Sequence, residues 1–406
     1  MYTGLFESIK EYEWNPTGIP TITNLVERLA TNGKLLFWFI LCKNKAESLV
    51  VQNKLSRITF KNENHIKAII IPYKHIVNSE KVNSFVNNIY AFCYIVKVAG
   101  GLGSKICYFD RSNIILAGLI KTIFRSFTVI RILGVYPNQK KLAVSSKSKL
   151  LHPLTFLSYK IKHDLAICTQ DGSGVEYYAE KLLNKRTKIN LLINGIEKDQ
   201  NCLKINNRPA IISFLFVGKI IKDKGILELI EVFSMLRQNR NDFKLKVVGK
   251  GELSKTVVDL IKKLNLEGVV QMIGSVDRRT IHQLHNNSDV YISLNKLGNL
   301  SNTVLEAMAA GKCIVMLGKD EKEHTDISTE KLVPDNAVIR INRSNIVKDL
   351  NQKIEDLLDH PEEISIYSNR MKTFASRILW TWDERINSEI EFIEKYAKGE
   401  FNLKND

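Results

Sequence analysis

Between residues 211 and 317, short runs rich in β-branched residues alternate with longer segments whose apolar residues stand three and four positions apart. The runs predict buried strands, and the three- and four-residue spacing predicts helices. Strands and helices that alternate in this way build a parallel sheet with helices on both faces. The predicted order is strand 211–217, helix 226–237, strand 244–248, helix 253–264, strand 269–273, helix 279–285, strand 290–294, helix 304–310 and strand 313–317.

The first half of the chain shows a less regular version of the same alternation. Helical patterns such as 22–30 and 117–124 lie between apolar runs that predict strands at 35–41, 68–71, 91–98, 106–109, 128–133, 165–169 and 191–193. A chain of 406 residues is longer than one hydrophobic core usually accommodates. We therefore expect two α/β domains. The polar interval 197–208 has little periodicity, which predicts the linker between them.

Composition narrows the class of protein. A chain that is 44% hydrophobic and 25% charged is neither disordered, collagen-like nor a coiled coil. The apolar run 35–42 is far shorter than the roughly 20 residues that span a bilayer, and residues 1–14 carry three glutamates where a signal peptide needs an apolar stretch. We expect a soluble, cytoplasmic protein. The six cysteines form no CxxC pair and the eight histidines form no ligand pattern, so we expect no metal site.

The charge is concentrated in one half. Residues 1–200 contain 28 Lys and Arg against 14 Asp and Glu, whereas the rest of the chain contains 31 against 29. This asymmetry indicates that the first half faces an anionic partner, such as an acidic lipid or a phosphate-bearing substrate, although a general solubility charge explains it equally well. The chain has no aromatic-interleaved basic strand, zinc finger or recognition-helix pattern, so we expect no nucleic-acid partner.

A cluster of lysines suggests where an anionic surface would meet the first half. Lys140, Lys141, Lys147 and Lys149 precede the apolar pattern 150–159. Lysines next to an apolar segment are typical of a protein that docks on an anionic membrane surface. The alternative interpretation is a core-packing helix with a solvated start. The membrane-docking interpretation leads us to expect peripheral association with the inner face of a membrane.

The loop 217–225 carries the first candidate site. Lys219 and Lys224 lie five residues apart between a predicted strand and a predicted helix. Two lysines on such a turn, together with the free N–H groups of the helix, are suited to bind a diphosphate. The alternative is that both lysines are ordinary loop residues in water.

The segment 301–311 carries the second candidate. Thr303 and Glu306 have the spacing of a capping box, in which the Glu306 carboxylate would accept the N–H of Thr303. The functional alternative is that Glu306 accepts hydrogen bonds from the ribose hydroxyls of a nucleotide.

The second half resembles a known enzyme family in four successive stretches. These are FLFVGKIIKDKG (214–225), VVGKGEL (247–253), NNSDVYIS (286–293) and NTVLEAMAAG (302–311). They closely resemble the donor-binding domain of the family 4 (group 1) retaining glycosyltransferases. In the first half, Asn194-Gly195-Ile196 and HDLAICTQDG (163–172) resemble segments of the same family, as do Trp382-Asp383 and the helix that follows.

The resemblance implies the GT-B fold, in which two Rossmann-like, doubly wound α/β domains face each other across a cleft. It implies an N-terminal acceptor-binding domain at 1–196, a linker at 197–208, a donor-binding domain at 209–377 and a C-terminal helix at 378–406 that crosses back to the first domain. The implied activity is transfer of a sugar, with retention of configuration, from a nucleotide sugar to a glycan or lipid-diphosphate-linked acceptor, in cell-surface polysaccharide, capsule or lipopolysaccharide synthesis. The alternative is a GT-B partner subunit that binds a nucleotide sugar or glycan without catalysis.

The resemblance also assigns the site residues. Lys219 and Lys224 would stabilise the leaving diphosphate, Glu306 would hold the ribose, and a UDP- or GDP-sugar would be the donor, without a cofactor or metal. The family's first acidic residue, eight positions before Glu306, is replaced here by Gly298, which removes the usual side-chain contact to the donor sugar. The other expected donor-binding positions are Asn299, Leu300, Ser301, Asn302, Thr303 and Gly18, and the expected acceptor-side or cleft positions are Arg131 and Gly134.

Overall fold

The structure is a computed structural model that describes residues 8–9, 11–16, 20–42, 56–99, 105–197 and 211–402, with side chains up to residue 399. Gly18 and the interval 198–208 of the predicted linker lie outside these ranges. Within the described ranges, no helix is both long and apolar enough to cross a membrane.

The first half contains two sheets. In the smaller sheet β3 lies in the centre, parallel to β1 and antiparallel to β2. The larger sheet is parallel throughout, in the order β4, β5, β6, β7. The strands are β1 (Leu36–Leu41), β2 (Ser56–Phe60), β3 (Glu63–Ile71), β4 (Ile106–Asp110), β5 (Phe127–Ile132), β6 (Leu165–Thr169) and β7 (Lys188–Leu192). The helices are α1 (Pro20–Thr31), α2 (Glu80–Ala99), α3 (Ile114–Phe124), α4 (Pro137–Val144), α5 (Ser146–Leu151), α6 (Pro153–Lys160) and α7 (Val175–Leu182).

One predicted strand of this half is wrong. The apolar run 91–98 belongs to helix α2. Ala91, Ile95 and Ala99 are buried at intervals of four residues, which is the period of a helix face. Intermediate positions of the helix are also apolar, so the run has the appearance of a buried strand when it is considered alone.

The second half is a single parallel six-stranded sheet in the order β10, β9, β8, β11, β12, β13, with helices between the strands. The predicted doubly wound alternation is confirmed. The strands are β8 (Ile212–Val217), β9 (Phe243–Val248), β10 (Val270–Gly274), β11 (Val290–Ser293), β12 (Cys313–Leu317) and β13 (Ile339–Ile341). The helices are α8 (Ile226–Arg237), α9 (Ser254–Lys263), α10 (Arg278–Asn286), α11 (Asn302–Ala309), α12 (Ile327–Leu332), α13 (Ile346–Asp359) and α14 (Glu362–Ile378).

The last helix, α15 (Trp382–Asn402), packs on the first half. Its residues Ile393 and Ala397 join a buried cluster with β5 and β6 of the four-stranded sheet. Just before it, the N–H of Ile196 donates to the carbonyl of Trp380, and the N–H of Trp382 donates to the carbonyl of Ile196. The chain thus returns to the first half at the end of the segment 194–196.

The two halves also meet through loops at the carboxyl ends of their strands. The loop after β6 lies against the loop after β11, where the N–H of Leu300 donates to the carbonyl of Asp171 at 3.1 Å. The N–H of Asp326 donates to the carbonyl of Gly172 at 2.7 Å. Because ligands bind at the carboxyl ends of parallel strands, these contacts place both loops at the edge of the candidate site.

Candidate functional site

The two lysines of the loop 218–225 differ in their surroundings. Lys219 is exposed, whereas Lys224 is half-buried and its aliphatic chain lies over Gly218. Gly225 ends a short 3₁₀ turn with φ +70° and begins α8. A Cβ atom on Gly225 would lie 2.4 Å from the Cβ of Leu294, so only glycine allows the loop to approach β11 so closely.

The Lys224 ammonium is a desolvated cation. Burial lowers the pKa of Lys224, the negative charge of Asp171 opposes this shift, and Lys219 lowers the pKa further. A buried cation beside a second cation is stabilised when an anion binds between them. This arrangement fits the predicted role of both lysines toward a diphosphate.

The capping box predicted at Thr303 and Glu306 does not form. The residue that precedes helix α11 is Ser301, which makes Thr303 the second helical residue and places Glu306 one turn further on. The N–H groups of Val304 and Leu305 both donate to the carbonyl of Ser301. The first N–H groups of a helix have no partner within the helix, so those of Asn302 and Thr303 are placed to bind an anion.

Glu306 is the most buried member of a charged cluster that also contains Arg278, Glu197 and His282. Its side chain is 9% exposed, and its Oε1 atom is 3.7 Å from Nη2 of Arg278. Arg278 also pairs with Glu197, whose carboxylate is 3.8 Å from Nε2 of His282. Burial raises the pKa of Glu306, and the charges of Arg278 and His282 oppose this shift. The cluster presents a carboxylate beside the N-terminus of α11.

Side chains at the start of α11 are fixed by their neighbours. The hydroxyl of Tyr291 donates to Oγ1 of Thr303 at 3.0 Å, and Oγ of Ser301 lies 3.1 Å from the same atom. Nδ2 of Asn194, from the first half, donates to Oδ1 of Asn302 at 2.6 Å. The predicted residues Ser301, Asn302 and Thr303 therefore lie together at the edge of the interdomain contact.

The backbone N–H groups of Asn299 and Leu300, two of the predicted donor-binding positions, both have hydrogen-bond partners within the protein. The N–H of Asn299 donates to Oδ1 of the buried Asp326 at 2.7 Å, and that of Leu300 donates to the carbonyl of Asp171. Gly298 has φ +137°, and a Cβ atom there would lie 2.6 Å from the Asp171 carbonyl oxygen. The first half thus occupies the space that a side chain at position 298 would need.

Arg131, predicted to be an acceptor-side or cleft residue, lies instead in the interior of the first half. Arg131 is fully buried in β5, where Nη1 pairs with Glu389 of α15 at 3.1 Å and Nη2 donates to Thr169 at 2.9 Å. Its side chain leaves the sheet toward α15 and not toward the cleft. Gly134, by contrast, lies beside the cleft with φ +88°, and a Cβ atom there would be 2.0 Å from Oδ2 of Asp171.

Asp171 is a residue of the interdomain contact that the sequence did not single out. Its Oδ1 atom accepts the N–H of Ser173 at 3.0 Å and the Ser173 hydroxyl at 2.5 Å. Burial raises the pKa of Asp171 to about 6, while the Ser173 hydrogen bonds and Arg111 oppose the shift. The available signal was its position directly after β6, at the strand end where ligands bind. Among the described side chains, no three His, Cys, Asp or Glu residues converge as metal ligands.

Comparisons with known proteins agree with this geometry. Residues 196–374 match the family of group 1 glycosyl transferases. A curated relative is the lipopolysaccharide 1,2-N-acetylglucosaminetransferase of Salmonella typhimurium, 28% identical over 37% of this chain and 40% of that protein. The aligned segments span about half the length of the curated relatives that the chain matches.

Two solved structures extend the likeness to the whole chain. The sucrose-phosphate synthase of Thermosynechococcus elongatus is 14% identical with a TM-score of 0.69, over 93% of both chains. Anabaena HepE, solved with UDP and glucose, is 13% identical with a TM-score of 0.65, over 93% of this chain and 97% of that chain. The predicted GT-B fold is confirmed, and the comparisons together support the group 1 glycosyltransferase family.

Proposed function

We propose that this protein transfers a sugar, with retention of configuration, from a UDP- or GDP-sugar to a glycan or lipid-linked saccharide in cell-surface polysaccharide synthesis. The observation that carries the proposal is the grouping of Lys219, Lys224, Glu306 and the N-terminus of α11 at the carboxyl ends of β8 and β11. Two members of this group interact with the first half: the charge of Asp171 acts on Lys224, and Asn194 donates to Asn302 at the start of α11.

The cations would act on the leaving group. Departure of a nucleoside diphosphate builds negative charge on its phosphate oxygens, and groups already oriented toward that charge lower the barrier. Lys224 is half-buried in the loop after β8, and Lys219 adds a second charge from the same loop. These side chains and the helix N–H groups would perform this role without a metal ion.

Glu306 would bind the ribose. A carboxylate next to the phosphate site is the usual acceptor for the two ribose hydroxyls of a nucleotide. In this structure Arg278 occupies one side of that carboxylate at 3.7 Å. A nucleotide would therefore add its hydrogen bonds to a carboxylate that is already oriented by Arg278.

An exposed apolar surface supports peripheral membrane binding by the first half. Helices α5 and α6 expose four leucines: Leu150 (81%), Leu151 (54%), Leu154 (48%) and Leu157 (58%). Lys141 and Lys147 are exposed nearby, which agrees with a surface that enters an anionic interface. Lys140 does not belong to this surface, because it is buried and donates to the Glu323 carbonyl and the Thr325 hydroxyl.

The acceptor class follows from the same surface. A lipid-linked saccharide would lie at the membrane, next to the first half, while the water-soluble donor binds the second half. The named activity of the Salmonella relative, which acts on lipopolysaccharide, agrees with an acceptor of this class.

A screen of nucleotide sugars tests the proposed function. Thermal melting with UDP- and GDP-sugars of glucose, galactose, N-acetylglucosamine and mannose should show stabilisation by one of them, equal to about 2.7 kcal/mol at 100 times its Kd. Proton NMR of the product should then show the anomeric configuration of the donor. Binding without any hydrolysis or transfer would favour the non-catalytic partner subunit, and no stabilisation by any nucleotide would contradict both.

A further inference from the structure

Asp171 lies where the two halves touch. It follows β6 in the first half, and its carbonyl oxygen accepts the N–H of Leu300 from the second half at 3.1 Å. The same oxygen would lie 2.6 Å from a Cβ atom on Gly298. The position of the Asp171 backbone relative to the loop after β11 is therefore fixed by direct contact.

The Asp171 carboxylate is held in one orientation. Ser173 donates to Oδ1 through both its N–H and its hydroxyl. Oδ2 lies beside Gly134, where any side chain would overlap it. A carboxylate has about four acceptor positions, so the two Ser173 hydrogen bonds leave capacity for a ligand hydroxyl.

The Asp171 carboxylate lies close enough to the Lys224 ammonium for its negative charge to raise the pKa of Lys224 against the effect of burial. Among the carboxylates whose charge acts on Lys224, Asp171 has the larger effect, and Asp223 has a smaller one. Lys224 belongs to the second half and would hold the diphosphate, whereas Asp171 belongs to the half that would hold the acceptor. In the proposed function the transferred sugar would lie between the half that holds the diphosphate and the half that holds the acceptor.

Position 298 cannot supply a carboxylate at this point. A Cβ atom there would lie 2.5 to 2.6 Å from backbone atoms of residues 171, 172 and 173. The turn that excludes a side chain from position 298 is the turn that carries Asp171. The carboxylate that the first half brings to this contact is that of Asp171, whereas Asp326 of the second half is buried and already paired with Arg343.

We propose that the Asp171 carboxylate binds a hydroxyl group of the transferred sugar, so that the first half contributes a donor-specificity residue to the site. This inference rests on the proposed function. It assigns to Asp171 contact with the sugar moiety of the donor and no contact with the nucleotide.

The test compares a nucleotide sugar with its own nucleoside diphosphate. Calorimetric titration of wild type and Asp171→Asn would use UDP-glucose, UDP-galactose, UDP-N-acetylglucosamine and GDP-mannose, each against UDP or GDP. We expect Asp171→Asn to weaken the preferred nucleotide sugar by about tenfold or more, since a hydrogen bond to a charged group is lost. Affinity for the matching diphosphate should be unchanged or tighter, because a negative charge near Lys224 is removed.

Asp223→Asn is the matched control, since it removes the other carboxylate that acts on Lys224 and should leave the ratio of the two affinities unchanged. If Asp171→Asn fails to fold, Ser173→Ala is the second variant: it keeps the carboxylate and the backbone N–H that orients it but removes the Ser173 hydroxyl, and we expect a smaller loss of the same kind. If folded Asp171→Asn binds the nucleotide sugar and the diphosphate with equally reduced affinity, or binds both as wild type does, the inference is overturned while the proposed function stands. A wild type that binds neither diphosphate nor nucleotide sugar would contradict the proposed function itself.

Discussion

Gly298 and Asp171 are in backbone contact across the two halves: a Cβ atom on Gly298 would stand 2.6 Å from the Asp171 carbonyl oxygen. The contact leaves no room for a side chain at position 298. This explains why the chain has a glycine there, whereas the family that it resembles has an acidic residue. It also means that a change at Gly298 acts on the interdomain contact and on the site together.

Gly298→Ala should destabilise the protein more than an ordinary glycine replacement. Alanine at positive φ costs about 1 to 2 kcal/mol, and overlap with residues 171–173 should add about 1 to 3 kcal/mol. Gly33→Ala is the control, because Gly33 also has positive φ but a Cβ atom there would have no neighbour within 4 Å. Urea denaturation measures both. Equal losses of unfolding free energy in the two variants would show that residues 171–173 accommodate the new methyl group without loss of stability.

Lys224→Ala should weaken binding of the nucleoside diphosphate by roughly tenfold to a hundredfold, because a charge-assisted contact of about 1.5 to 3 kcal/mol is lost. The melting temperature should barely change. Lys222→Ala is the control, since Lys222 is an exposed lysine of the same loop. Calorimetry with UDP and GDP would measure the affinities, and similar affinities in the two variants would remove Lys224 from the phosphate site.

Glu306→Gln should weaken nucleotide binding by about tenfold at unchanged stability, since an amide is a weaker acceptor for the ribose hydroxyls than a carboxylate. A nucleotide that lacks both ribose hydroxyls provides the control. Wild type should bind the dideoxy nucleotide more weakly than the ordinary nucleotide, whereas Glu306→Gln should bind the two with nearly equal affinity. If removal of the hydroxyls weakens binding as much in Glu306→Gln as in wild type, the ribose does not contact Glu306.

The preference for nucleotide sugar over diphosphate should depend on pH through Asp171. Burial raises the pKa of this carboxyl from 3.8 to about 6, so its charged form, and the hydrogen bond that it accepts, is lost as the pH falls through 6. The cations Arg111, Lys140 and Lys224 favour the carboxylate, while Asp326, whose carboxylate lies beside Gly172, is paired with Arg343. The affinity ratio of wild type should fall between pH 7 and pH 5, and that of Asp171→Asn should stay flat. If the affinity ratio of Asp171→Asn also changes with pH, a group other than Asp171 is responsible for the pH dependence.

Leu150→Glu with Leu154→Glu should abolish flotation with anionic phospholipid vesicles at low salt, because exposed leucines are replaced by charges that an anionic surface repels. Both side chains are exposed, so stability should change little. Met235→Glu, at an exposed apolar position of the second half, should leave flotation intact. Wild type that fails to float at low salt would contradict membrane binding.

Local periodicity was sufficient to predict residues 211–317 of the second half, but the prediction did not extend to β13 and helices α12 to α14. The strands of this half are short and buried on both faces, and each is followed by a helix with a clear apolar face, so strand and helix signals do not overlap. In the first half, helix α2 is apolar at most positions of the run 91–98, so this run fits both a buried strand and a buried helix. The local sequence pattern could not distinguish the strand from the helix.

Candidate site residues could be proposed from the sequence only where they lie within one short segment. Lys219 and Lys224 share a turn, and Glu306 lies in a recognisable segment. Arg131 looked like a cleft residue because it lies near the end of a strand, but its partner Glu389 is 258 residues away in the sequence. Asp171 gains its position from contacts with the second half, which no local pattern records.

Release of the nucleoside diphosphate from a nucleotide sugar tests the central claim most directly. Wild type, incubated with the nucleotide sugar that stabilises it and with a lipid-linked saccharide, should release UDP or GDP in step with sugar transfer. Lys224→Ala should release it at least about tenfold more slowly, while Lys222→Ala should match wild type. No release by wild type, or equal release by wild type and Lys224→Ala, would contradict glycosyl transfer at this site.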